Sequence, residues 1–162
     1  MPVFRRLSHH RAVLSQLSMP KAACAVRGAA TLASFERQQS KIVQAINKID
    51  TSVLSPEEIE NTLATGHDNR DIALNKLVEA LNKDAGYEKW AAVALPSALP
   101  ASEDVIHTAF IYQPAEVKPI GESAILDDAA FSNARQPLAQ ALVNFTAAQG
   151  GTARYRQHHA AG

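Results

Sequence analysis

Residues 31–49 and 69–85 each carry their apolar side chains on a single stripe, and this limits the folds open to the chain. In the first stretch Leu32, Phe35, Ile42, Val43, Ile46 and Ile49 recur at helical spacing, while Arg37, Lys41 and Lys48 fall elsewhere. In the second the stripe is Leu74, Leu77, Val78 and Leu81. Asp68 or Asn69 can cap its start, Asp71 suits the positive end of a helix, and Gly86 is placed to stop it. A helix that is apolar on one face must cover something apolar, and the rest of the sequence offers strands.

Those strands lie mainly in the second half. Residues 105–112 (VIHTAFIY) are β-branched, aromatic and apolar on both faces, the pattern of a buried strand. Residues 90–94 and 117–120 read as shorter strands, and residues 138–145 as a further one before a Gly-rich turn. Between the helices, Pro56 breaks any regular ladder and residues 61–69 are turn-like. The order of helix, short strand, helix and then several strands predicts an α/β (α+β) domain over residues 31–150. Residues 1–30 are basic and serine-containing, a pattern open to a transit peptide or a poorly ordered leader, and residues 151–162 read as an irregular tail.

Charge excludes one simple function. The net charge is zero, with 16 acidic and 16 basic residues, yet every acid lies between Glu36 and Asp128. An acidic middle repels phosphates through its general field, so a plain basic-patch DNA binder is not expected. The single cysteine, Cys24, excludes an internal disulfide framework. No apolar run approaches the roughly 20 residues of a membrane span, so no membrane partner is expected.

Several pieces, taken in order, are more specific: EIEN at residues 58–61, FIYQP at 110–114 and NARQPLAQ at 133–140. With their flanking segments they resemble the bacterial extracellular nuclease branch of the endonuclease/exonuclease/phosphatase superfamily, from about Val26 to Phe145. The resemblance implies a partial two-sheet β-sandwich flanked by helices, a divalent-metal site at one end of the sheets, and hydrolysis of phosphodiesters in DNA or RNA. It also implies export, although no secretory signal is visible in residues 1–30.

The implied chemistry fits the residue types. A phosphodiester anion repels a nucleophile, so a cation must neutralise it and the charge that develops on the leaving group. Mg²⁺, Mn²⁺ or Ca²⁺ prefers oxygen ligands, and Glu58 stands where the family has its metal-binding glutamate. Read without the resemblance, Glu57, Glu58 and Glu60 can equally form a solvated acidic turn; in an extended chain Glu58 and Glu60 would share a face. Arg135 matches the family's substrate-side arginine, able to grip a phosphate through paired hydrogen bonds; the alternative is a surface pair with Asp127 or Asp128. Asn61 is read as starting the turn and Tyr112 as packing. Of the histidines, His107 is read as a half-buried packing residue, His67 lies in a turn, and none matches a catalytic position.

The family's later motifs, an Asn-His pair, a Gly-Asp-x-Asn segment and a terminal Asp-His, do not occur here. The expectation is therefore a fragment of a longer enzyme, truncated or frame-shifted, with little or no activity alone. Open sheet edges would favour self-association. Two alternatives remain: a non-catalytic interaction domain, and a phosphatase or lipid phosphodiesterase of the same superfamily.

Overall fold

The computed structural model describes residues 31–131 and 134–144 together with the backbone of residues 156–159. Helix α1 spans Leu32–Ile49 and α2 spans Ile72–Ala85, with short strands β1 Val53–Leu54, β2 Ile59–Glu60, β3 Ala91–Ala92, β4 Ile106–His107 and β5 Ile111–Tyr112 around them. The longer strands β6 Val117–Ile125 and β7 Leu138–Asn144 follow, then β8 Arg156–His159. The predicted α+β class is what the fold displays: two helices and small antiparallel sheets.

Both helices begin and end for local reasons. The Thr31 hydroxyl accepts the Ser34 N–H at 3.1 Å, and Asp50 closes α1 in the left-handed region. Gly86, at φ 80°, closes α2, a conformation only glycine adopts without cost. The start of α2 differs from expectation. It begins at Ile72, Asp71 makes no side-chain cap bond, and Asn69 instead accepts the Asp71 N–H. The missing cap comes from a distance, because the Thr62 hydroxyl accepts the Ile72 N–H at 3.2 Å. The apolar stripe of α1 is also shorter than predicted: Phe35, Val43 and Ile46 are buried, but Leu32 is 69% exposed.

The strand expected over residues 105–112 is two strands in two ladders. β5 lies between β1 and β3, while β4 pairs with β2. The cause is a change of register. Val53 and Leu54 oppose Tyr112 and Ile111, whereas Ile59 and Glu60 oppose His107 and Ile106. Residues 55–58, four in number, therefore face only the three residues 108–110, a one-residue bulge in a continuing antiparallel pairing. The Pro56 carbonyl still accepts the Ala109 N–H, so the pairing continues past the proline. Strand β3 is confined to Ala91–Ala92 within the predicted 90–94.

Strand β6 runs past the predicted residue 120 because Gly121, at φ 68°, sits in a second bulge. Gln140 of β7 donates to the Ile120 carbonyl at 3.2 Å and shares itself with that of Gly121, satisfying the displaced backbone. β8 pairs with β7, so part of the tail expected to be irregular is a strand; residues 1–30, Phe145 and the remainder of the tail lie outside the described residues.

Two apolar clusters hold the layers together. The larger packs Val43, Ile46, Leu74, Leu77 and Leu81 of the helices against Leu54, Ile59, Trp90 and Ile111. Asn47 is its polar pin: it donates to the Leu81 carbonyl at 3.0 Å and accepts the indole N–H of the buried Trp90 at 2.7 Å. The smaller cluster joins Val93 and Phe110 to Leu138, with Val53, Tyr112 and Ile125 at its margin, so β6–β7 covers part of the opposite face. Ser123 donates to the Ala94 carbonyl at 2.8 Å across this second contact.

Candidate site at the β2–β4 ladder

The side chains with most chemical potential gather where β2, β4 and the start of α2 meet. The turn after β2 is built by Asn61, which is buried. Its amide oxygen accepts the Ala64 N–H at 3.1 Å and its nitrogen donates to the Asp104 carbonyl at 3.1 Å. The predicted turn role is present, and the same side chain also ties the turn to the loop before β4. Thr62 adds a bond from its hydroxyl to the Arg70 carbonyl at 2.9 Å, which sets Arg70 and Asp71 at the head of α2.

Arg70 then meets Glu103 in a fork of two bonds, Nε to Oε2 at 2.8 Å and Nη2 to Oε1 at 2.7 Å. Both side chains are buried, so a bidentate geometry is needed to offset the cost of taking two charges out of water. Asp71 Oδ1 lies 3.6 Å from the Arg70 guanidinium and 3.4 Å from His107 Nε2. Burial raises the Asp71 pKa, Arg70 opposes that rise and Glu103 adds to it. Burial lowers His107 to about 4, with Arg70 acting in the same direction. His107 is thus fully buried rather than half-buried, and it is held by its Nδ1 bond to the Thr108 carbonyl at 2.9 Å.

Glu58 sits in the bulge, at φ 58°, one of two non-glycine residues in the left-handed region among the described residues. That conformation costs on the order of 1–3 kcal/mol and is kept only where the surroundings impose it. It also breaks the strand alternation expected to place Glu58 and Glu60 together. Glu60 is buried and accepts the Thr65 hydroxyl at 3.1 Å, whereas Glu58 is half-exposed and its carboxylate has no hydrogen bond or ion pair among the described residues. A solvated turn of three acids is therefore not what forms.

Arg135 is partnered, though by neither predicted acid. Its Nη1 lies 3.1 Å from Asp104, across a half-exposed pair beyond the far end of β4 from the bulge. Its Nε is buried without a partner. Tyr112 is half-buried and packs at the smaller cluster, as expected.

Mg²⁺ keeps several waters and needs only one or two protein carboxylates. Glu58 offers one half-exposed carboxylate without a protein partner among the described residues. Among the described residues no group of three His, Cys, Asp or Glu side chains is placed to hold a metal ion. Nothing local in the sequence marks Arg70, Asp71 and Glu103 as a site; the available signal is charges at the head of a helix and before a strong strand, with Arg70 and Glu103 33 residues apart. Comparison with known proteins gives no match to any family model, curated protein or solved structure.

Proposed function

We propose that this chain carries part of a metal-dependent phosphodiesterase, of nuclease type, related to the endonuclease/exonuclease/phosphatase superfamily and with little or no turnover alone. The observation that supports it is the state of Glu58. The acid marked by the resemblance is the one held in a strained conformation, in a bulge, with its carboxylate unspent. Bulges and backbone strain concentrate where a side chain must be aimed at a ligand. In this reading Glu58 would hold Mg²⁺, or Mn²⁺ or Ca²⁺, which supplies charge neutralisation at a phosphate. Arg135 would release Asp104 to grip a phosphate oxygen of DNA or RNA, an exchange made easy by the small worth of an exposed pair. The packing of β6–β7 beneath the helix-covered strands is compatible with a partial two-sheet sandwich of that superfamily.

A second reading, a non-catalytic interaction domain, draws on the buried charges. Arg70 and Glu103 are spent on each other, and β1 and β3 each have a single strand neighbour among the described residues. Incubation of the purified chain with supercoiled plasmid and Mg²⁺ or Mn²⁺ separates the two. Metal-dependent nicking that disappears in Glu58→Ala supports the first. Absence of nicking together with no metal-dependent binding of the plasmid, in a chain that forms a concentration-dependent oligomer, supports the second.

A further inference from the structure

The contact between Asp71 and His107 cannot be what its heavy atoms alone suggest. His107 Nδ1 faces a carbonyl oxygen at 2.9 Å, and a carbonyl only accepts, so Nδ1 carries a proton. A neutral ring with its proton there has a bare lone pair on Nε2. That lone pair faces Asp71 Oδ1 at 3.4 Å, and both atoms are buried with no hydrogen-bond partner. Two acceptors facing each other in a dry interior repel, and each would forfeit the hydrogen bonds it had in water.

The charge balance points the same way. The groups around the ring are Asp71 and Arg70 from the head of α2, Glu103 from the loop before β4 and the Thr108 carbonyl on its own strand; Ile59 opposes it across the ladder. Arg70 and Glu103 cancel. An ionised Asp71 with a neutral His107 would leave one uncompensated negative charge among side chains that are each less than a tenth exposed. Adding one proton removes both the repulsion and the net charge.

We infer that Asp71 and His107 hold a single proton between Oδ1 and Nε2 at neutral pH, and that this proton latches the head of α2 to β4. The pair titrates as a unit, so the proton belongs to neither residue alone. The direction of the Asp71 shift agrees with this. Removing the proton at alkaline pH restores the two facing lone pairs and the unpaired charge. The latch then loosens at Asp71, where Thr62 and Asn69 organise the first turn of the helix.

The test uses the full chain. In mildly alkaline solution an unfolded chain has Asp71 ionised and His107 neutral, so refolding should take up close to one proton. Calorimetric refolding in buffers of different ionisation enthalpy measures that uptake. Asp71→Asn presents an N–H to Nε2 without a titrating proton, so its uptake should be lower by nearly one. Equal uptake by the two proteins overturns the inference. Should the variant not fold, the ¹⁵N–¹H spectrum of the wild-type His107 ring decides. The expected result is an Nε2 shift displaced from that of a bare imidazole nitrogen at neutral pH, moving to it as the solution becomes alkaline. A bare Nε2 signal already present at neutral pH overturns the inference.

Discussion

At the scale of single residues, the chain's buried polar atoms are unequal in consequence. Asn47 serves Leu81 and Trp90 at once, and Trp90 is among the most buried side chains. Asn47→Ala leaves an indole N–H without a partner, so urea unfolding should show a loss of about 1–3 kcal/mol. Charge pairs divide in the same way. Glu103→Gln removes the charge and one acceptor of the fork, leaving Asp71 as the acid beside the buried Arg70, and should cost about 1–3 kcal/mol, whereas Arg135→Ala breaks a half-exposed pair and should cost about 0–1 kcal/mol. Comparable losses in the two variants would mean that the fork does not compensate Arg70.

The acid profile follows from the opposed shifts of His107 and Asp71. His107 is lowered from 6.5 to about 4, so its contribution is fully present above 6.5 and is lost as pH falls toward 4. Asp71 is raised from 3.8, so its contribution is fully present below 3.8 and is lost as pH rises through its folded value. With the single shared proton inferred above, the fold and the unfolded chain hold similar numbers of protons between 3.8 and 6.5, and wild-type stability should change little there. Asp71→Asn leaves only the histidine, so that variant should lose about 2–3 kcal/mol on acidification through the window. Urea midpoints measured across pH for both proteins check this, and a wild-type slope as steep as the variant's contradicts it.

At the scale of elements, what the sequence reveals is what a period encodes. The stripes of α1 and α2 are legible because burial repeats every 3.6 residues, and Gly86 is legible because a left-handed stop favours it. The division of residues 105–112 is not legible. Every side chain there is compatible with one strand, and the extra residue that divides the ladder lies on the opposing chain at 55–58. The start of α2 is hidden for a related reason, since its cap belongs to Thr62, ten residues away. Glu58 joins the two lessons. Its identity is visible in EIEN, but its left-handed backbone is a property of the bulge. Glu58→Gly should therefore relieve strain and leave the chain equally stable or more stable by up to about 1 kcal/mol, while removing the carboxylate. A loss of stability on thermal or urea unfolding would show that Glu58 contributes contacts of its own.

At the scale of the whole molecule, the site is partly a product of topology. Arg70 and Glu103 come together only because β2 pairs with β4 and the turn after β2 leads into α2. No local pattern announces a pairing of that kind, so the fork was invisible although each charge was in plain view. Arg135 shows the converse: its motif was conspicuous, yet its partner Asp104 is set by the approach of the segment before β7 to the loop before β4. The acidic middle of the sequence remains a general obstacle to nucleic acid, and in this account a cation at Glu58 is what would reduce it.

That claim is open to direct measurement without any need for catalysis. Titration of the chain with Mn²⁺, followed by the electron paramagnetic resonance signal of the free ion, reports binding at a hard-cation site. The wild-type chain should remove Mn²⁺ from the free pool, Mg²⁺ should return it, and Glu58→Ala, folded as judged by circular dichroism, should remove markedly less. Equal Mn²⁺ uptake by the two proteins, or none by either, would contradict it.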